Sequence, residues 1–277
     1  MDHRTELSQF LRTRRARLGP DDVGLPQYGR RRVPGLRREE LAQLAGVSVA
    51  YYTRLEQGHA QNVSGEVLGA ICDALRLDQA ERDHLRNLVR PVRKRRRSAQ
   101  QRVRPALQQL IDAMDSTPAI VLGRRLDILG WNRLACALLG DFPAMEPDQR
   151  NLARQVFLDP AAREFYVDWT AKATEIVALL RLDAGRHPDD EALCALVEEL
   201  SGRSEVFGRL WADRDVRDLG YGRKQLRHPV AGRLTLAYET MHLPDPDQKV
   251  IAYHAEPGSP SAESLNLLAT RTLAPAG

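Results

Sequence analysis

The chain has 277 residues, 43% hydrophobic and 28% charged, with a formal net charge of +4. This composition is ordinary for a globular protein. It excludes collagen-like and low-complexity classes, and the length accommodates two domains. No apolar run approaches the roughly 20 residues needed to span a bilayer, and the basic N-terminal stretch lacks an apolar signal-peptide core. The expected location is therefore the cytoplasm, with no membrane partner. Cys72, Cys136 and Cys194 are too few and too scattered for a disulfide framework, and are expected as small buried hydrophobes.

The charge is unevenly placed. Residues 1–104 hold 22 Lys+Arg against 12 Asp+Glu, and the remainder 19 against 25. A basic front half joined to a mildly acidic back half suggests a nucleic-acid module coupled to something that does not touch nucleic acid.

In chain order, Thr5–Leu18 reads as a helix with Leu7, Phe10, Leu11 and Leu18 on one stripe. Gly19–Gly35, rich in Gly and Pro, reads as a loop. Short helices are expected at Arg37–Ala45, Val49–Gln57, Gly65–Arg76 and Gln79–Val89. Ser48, Ser64 and Asp78 stand at N-cap positions, and Gly46 and Gly58 where helices should stop. A basic run, Arg93–Arg97, opens a linker. Then come a helix at Leu107–Met114, strands at Ala119–Leu122 and Arg125–Gly130, and a helix capped by Asn132. Amphipathic stretches follow at Ala161–Leu182, Asp189–Leu200 and Glu205–Ala212. Gln225–His228, Arg233–Thr240 and Lys249–His254 read as late strands, and Ser261–Leu268 as a closing helix. The expected fold is multidomain: an all-α helix-turn-helix bundle over 1–92, a basic linker over 93–104 and an α+β domain over 105–277.

The segment Leu36–Gly58 carries the functional argument. Leu41 and Leu44 are expected to bury one side of the first motif helix, while Ala42 and Ala45 let a second helix cross closely. Gly46 supplies the turn, Ser48 the cap, and Tyr52 and Leu55 the inward face of the second helix. Val49, Ala50, Tyr51, Thr53 and Arg54 are then left outward, as a recognition helix in the major groove requires. Arg54 has the fork for a guanine edge, and Val49 or Ala50 suits a thymine methyl. Arg38 begins the first motif helix, within reach of a base or phosphate. Arg37, Ser48 and Tyr51 are candidate phosphate contacts, which position rather than specify. Arg31 and Arg32, in the loop, and the Arg93–Arg97 run suit phosphates or a minor groove. An ordinary helical hairpin is the competing reading; the turn glycine, the cap and the terminal Glu56-Gln57-Gly58 weigh against it.

Residues 1–90 resemble the Xre-type, lambda-repressor-like helix-turn-helix. The signature residues are Phe10-Leu11-Arg12, Arg14-Arg15, Arg30–Ala42, Gly46-Val47-Ser48 and Tyr51–Gly58. The whole chain resembles the MmyB-like transcriptional regulators of actinobacteria. The back-half matches are Trp131-Asn132, Leu210-Trp211-Ala212, Asp215-Val216-Arg217 and Ala255–Ala262. The resemblance implies that Glu56 pairs with Arg14 or Arg15, and that a homodimer binds an inverted repeat in double-stranded DNA. It also implies a PAS-like C-terminal domain for a small apolar ligand, with fatty acids the leading class. Val63-Ser64 departs from the usual Pro-Ser, but keeps the cap.

The back half shows no glycine-rich phosphate loop, GxSxG or HExxH, so no enzyme, cofactor or metal is expected. His187, His228, His242 and His254 are dispersed and read as structural or exposed; Asp189, Asp190 and Glu191 suit a helix start. Trp131, Trp169 and Trp211, with Phe157, Phe165 and Phe207, line either a cavity or a plain core. A carboxylate ligand would need a partner among Arg124, Arg125, Arg217, Arg223 and Tyr238; Trp131, Trp169, Trp211, Arg217 and Tyr238 are the chosen ligand candidates. The alternative is a docking or dimerisation module without a ligand.

Overall fold

The computed structural model describes residues 3–25, 35–59, 63–89, 101–213 and 220–273. The chain divides into two compact units. The first is Met1–Lys94 with Arg181–Ala195 and Leu210–Arg217; the second is Arg95–Leu180 with Leu196–Arg209 and Asp218–Gly277. No helix among the described residues is long and apolar enough to cross a membrane.

In the first unit, α1 (His3–Arg17), α2 (Arg38–Leu44), α3 (Val49–Glu56), α4 (Gly65–Ala74) and α5 (Gln79–Val89) follow one another. Their ends are set by side chains and by glycine. Ser48 Oγ accepts from Tyr51 N at 3.1 Å and Ser64 Oγ from Val67 N at 3.2 Å, satisfying donors that the first helical turn leaves unpaired. Asp78 and Glu81 exchange side-chain bonds with each other's backbone N–H at 2.8 and 3.1 Å, a capping box opening α5. At the end of α2, Gly46 N donates to Gln43 O and Val47 N to Ala42 O, with Gly46 at φ 64°. This pair of bonds closes the helix only if the intervening residue is left-handed.

The same closure ends α3 and α4. Gly58 stands left-handed at φ 87°, and an added Cβ there would meet the Arg4 carbonyl oxygen at 2.5 Å. Arg76 holds the equivalent place after α4 at φ 51°, a conformation its Cβ disfavours. The core they enclose comprises Leu7, Phe10, Leu11, Leu36, Leu41, Ala42, Ala45, Tyr52, Leu55, Ile71, Leu85 and Leu88, all buried. Leu44, expected inside, is 37% exposed. At 100° per residue the buried stripe of α2 is centred between Leu41, Ala45 and Ala42, and Leu44 falls outside it.

Three further helices contribute their ends to the first unit: α10 (Trp169–Arg186), α11 (Glu191–Arg203) and α12 (Glu205–Asp213). The Arg181 guanidinium is 1% exposed. It donates to Glu6 Oε1 at 2.7 Å and to the Trp211 carbonyl, and lies 4.2 Å over the Trp211 ring. Gly185 sits where an added Cβ would come 2.3 Å from His84 Nδ1, so this approach of α10 to α5 needs a residue without a side chain. His84 in turn meets Phe10 edge-on at 5.0 Å.

The second unit is built on a five-stranded antiparallel sheet of β1 (Ala119–Leu122), β2 (Ile128–Trp131), β3 (Tyr221–His228), β4 (Gly232–His242) and β5 (Lys249–His254), in the order β2-β1-β5-β4-β3. Helices α6 (Pro105–Asp112), α7 (Arg133–Leu139), α8 (Leu152–Leu158), α9 (Ala162–Phe165) and α13 (Pro260–Leu273) belong to it, together with the parts of α10, α11 and α12 outside the first unit. With the bundle, this gives the expected all-α plus α+β architecture. One sheet face packs Ala119, Val121 and Val250 on Leu107 and Ile111 of α6. The alternate positions Ile120, Ile251, Tyr253, Tyr238 and Leu236 are also buried.

Four local readings change. The stretch Ala161–Leu182 is not one helix: Tyr166 is extended and bridges Leu226, Val167 N donates to Gln225 O, and Asp168 Oδ1 caps α10 through Ala171 N at 2.9 Å. The strand expected from Arg125 starts at Ile128, because Arg125 and Leu126 are left-handed (φ 56° and 63°), held as Asn151 Nδ2 donates to Arg125 O and Asp127 Oδ1. Strand β3 begins at Tyr221 rather than Gln225. Helix α8, unread in the sequence, is capped by Asn151.

Replacing Gly58 with Ala is expected to lower the melting temperature, with a loss above the roughly 1–2 kcal/mol of a left-handed Cβ because the α1 backbone must also shift. Arg76→Gly is expected to raise stability by up to about 1 kcal/mol, since there only the strain is removed. Thermal unfolding of the two variants beside the parent checks both.

Candidate DNA-reading surface and ligand site

On α3, Tyr52, Leu55 and Glu56 are buried while Val49, Ala50 and Arg54 are exposed and Tyr51 and Thr53 half-buried. Ser48 and Arg37 are exposed as well. The helix therefore has one anchored edge and one free edge, and the free edge carries the residue types that read base edges. Arg31, Arg32, Arg217 and the Arg93–Arg97 run lie outside the described residues.

The anchor is electrostatic. Glu56, 0% exposed, takes Arg15 Nε at 2.8 Å on Oε2 and Arg38 Nη2 at 2.7 Å on Oε1, with Arg12 Nε 3.7 Å away. Three helices, α1, α2 and α3, are thus joined through one carboxylate. Arg15 also donates to the Leu36 carbonyl, extending the clasp to the entry of α2. Burial alone would push the Glu56 carboxyl up; the hydrogen bonds and charges of Arg15 and Arg38 more than reverse this and hold it below its ordinary range. Burial and the Glu56 charge push the Tyr52 phenol well up. The implied pairing with the first helix falls to Arg15. Arg14, 2% exposed, pairs instead with Glu81 at 2.8 Å and lies 4.8 Å over the Phe10 ring. Arg38, a candidate for DNA, is occupied by Glu56 on one side, and 40% of its side chain stays exposed.

Among the ligand candidates, Trp131 and Tyr238 share one sheet face, through the registers Trp131–Ile120–Ile251 and Tyr253–Tyr238. Trp131 packs on Phe142 at 5.2 Å with Arg150 5.3 Å over it. Trp169 donates Nε1–H to Val156 O at 3.0 Å, meets Phe157 edge-on at 5.9 Å and has Arg163 4.2 Å over it. Phe157 continues to Phe207 at 5.0 Å. Trp211 is in the first unit, on Arg181. His228 is a turn clasp: its Nδ1 accepts from Val230 N and Ala231 N, and its Nε2 faces Ala137 O at 2.9 Å. No group of three metal-ligating side chains occurs among the described residues.

A charged group that the sequence reading missed stands beside Tyr238. Lys172 and Glu175 on α10 are joined at 2.9 Å, and Lys224 on β3 binds the other oxygen of Glu175. Lys172 lies 5.6 Å from the Tyr166 ring and Lys224 4.8 Å from the Tyr238 ring. The sequence held a signal for it. Lys172 and Glu175 fall on the same helical face as Ile176 and Leu179, where charges have no ordinary place. Burial pushes Lys224 down to about 8, with the charge of Lys172 adding to the effect against Glu175. Burial raises Tyr238 to about 12, helped by Glu175.

These features define two parts of one protein: a helix-turn-helix bundle and an α+β domain built on an antiparallel sheet. A helix-turn-helix domain model matches residues 6–85, and the model of the MmyB-like transcription regulator ligand binding domain matches residues 103–268. The chain belongs to the MmyB-like transcription regulators, and is a DNA-binding regulator with a ligand-binding domain. No curated protein matches it.

Glu56→Gln is expected to destabilise the chain by about 3–5 kcal/mol, because Arg15 keeps its buried charge without a counter-charge. A carboxyl held below its ordinary value stabilises the fold above that value and loses this as pH falls through the depressed one. The parent should therefore lose stability on acidification below pH 4.5 more steeply than the variant, as read by denaturant melts across pH.

Proposed function

We propose that the chain is a one-component transcription regulator. Helix α3 reads a palindromic operator as part of a homodimer, and the C-terminal domain senses a small apolar ligand such as a fatty acid. The observation that carries the DNA half is the division of α3 into a buried edge fixed by Glu56 and a free edge of Val49, Ala50, Tyr51, Thr53 and Arg54. Arg54 reads a guanine edge; Val49 and Ala50 meet thymine methyls; Arg37, Arg38, Ser48 and Tyr51 set the position on phosphates. Arg31, Arg32 and the Arg93–Arg97 run add charge-driven affinity. For the ligand to control DNA binding it must bind one conformation more tightly than the other, since equal affinity shifts nothing.

Selection of bound sequences from a random DNA pool with the full chain is expected to yield an inverted repeat. Arg54→Ala should relax one position of each half-site at a cost of about 1–3 kcal/mol. Native mass spectrometry of the full chain, before and after denaturing extraction, is expected to release a small apolar molecule. A clean mass, together with no response of DNA binding to added fatty acids, would favour a docking module instead.

A further inference from the structure

Half of the sheet's outer face is bare. Leu107 and Ile111 of α6 cover Ala119, Val121 and Val250, and Gln108 Nε2 donates to the Trp131 carbonyl at the end of β2 at 2.9 Å. In register the same face runs on from Val250 to Met241, from Ala252 to Glu239 and Tyr221, and from His254 to Ala237 and Arg223. There it meets water. Tyr221 is 75% and Met241 43% exposed, and Arg223, Gln225 and Glu239 are exposed as well. Five strands at about 4.8 Å make a face about 24 Å wide, which seats two helices of about 10 Å side by side. Helix α6 fills one of these places, over β1 and β5. The other, a lane over β4 and β3, is left open and is one helix wide.

The flank of α6 beside this lane is apolar. Leu107 and Ile111 fix the side of the helix that meets the sheet, and Gln108 fixes the side of β2. At about 100° per residue, Leu110 falls about 200° from Gln108, on the flank towards β4, with Ala106 next to it. Leu110 is 58% exposed. The floor of the lane is basic. Arg227 and Arg233 stand directly opposite each other in register, a like-charge pair that costs stability, and Arg223 follows on β3. Among the described residues, none of the three arginines makes an ion pair or side-chain hydrogen bond. Glu239 is the one acid at the outer positions of β3 and β4. Such a cluster calls for an acidic neighbour.

We propose that the lane over β4 and β3 receives α6 of a second copy of this chain, with the two-fold axis along the strands between the two helices. Each α6 then fills the place that the other copy's sheet leaves open. Across the axis Leu110 packs on the partner's Leu110, and the small Ala106 lets the helices approach. Helix α6 runs in the direction of β5: at its start Arg104 binds Asp245 in the turn before β5, and at its end Asn132 Nδ2 takes the Ile111 carbonyl beside β1. A two-fold along the strands keeps that direction in the partner. Asp112, exposed and about 140° from Leu107, therefore comes down beside the partner's β3 at the row of Ala237 and Arg223. Its carboxylate takes the partner's Arg223. The occupant is a copy of this chain because the exposed helix flank and the open lane lie side by side, each fitting the other by width, polarity and charge. This assignment rests on the reading of the chain as a homodimer, and adds to it which surface joins the two copies.

Sedimentation equilibrium of the full chain tests this. The parent is expected to be a dimer, and Leu110→Arg to weaken it on the order of 10-fold or more. Far-UV circular dichroism should stay unchanged, because Leu110 is exposed within its own chain. Arg223→Asp is expected to weaken the dimer by a similar factor, and adding Asp112→Arg to it should recover most of the loss. Failure of that reversed pair to recover association overturns the arrangement. A dimer that neither Leu110→Arg nor Arg223→Asp weakens overturns the assignment of this face while leaving the homodimer reading intact. A dimer kept in Arg223→Asp with weakened operator binding overturns it too, since the arginines would then serve DNA phosphates. A parent that is monomeric both alone and on its selected operator overturns both readings together.

Discussion

One buried carboxylate organises the DNA-reading unit. Glu56 ends α3, and the arginines that reach it come from α1 and α2, so the position of α3 relative to those helices is fixed by charge as well as by packing. Apolar contacts alone tolerate small slides between helices. A carboxylate with guanidinium groups on both oxygens does not, because each displacement breaks a charge-assisted hydrogen bond in a medium that cannot replace it with water. The left-handed closures at Gly46 and Gly58 serve the same end. They stop α2 and α3 where the next segment must turn, and Gly58 lets the α1 backbone lie against the chain.

The second unit meets a different constraint. Its sheet is covered on both faces at β1, while the outer positions of β3 and β4, such as Arg223, Gln225, Arg227 and Glu239, are exposed; the covered inner face meets two lysines and a glutamate among aliphatic and aromatic side chains. A domain selected for stability alone would have little use for them. Their presence marks the place where the interior departs from plain packing, as functional sites commonly do.

Most of the bundle was legible in the sequence because its signals are local. Ser48, Ser64, Asp78, Gly46 and Gly58 act on residues within four positions of themselves, and the structure uses each as a cap or a closure. The α+β class was legible for the same reason, from alternation in Arg233–Thr240 and Lys249–His254. What was not legible is tertiary. Leu44 reads as core by type, and only the direction from which α3 and α4 approach leaves it outside. The first half of β3 escaped because its inward positions are Gly222 and Lys224, which break the apolar alternation and make sense only beside Tyr238 and Glu175. The break before α10 had one visible sign, Asp168 ahead of an apolar run, which the helical periodicity on both sides concealed.

Arg181 gives the first unit an unusual order of manufacture. Its guanidinium meets Glu6, 175 positions earlier, and the carbonyl that holds it comes from Trp211, a further 30 residues on. On the ribosome, the helix bearing Glu6 emerges long before the arginine that it pairs with, and α1–α5 must wait, incompletely covered, while most of the ligand-binding domain is synthesised. Contacts of such separation form slowly, because a long loop has to close before they contribute. The nascent regulator consequently acquires its finished DNA-reading unit only after the segment through Trp211 exists.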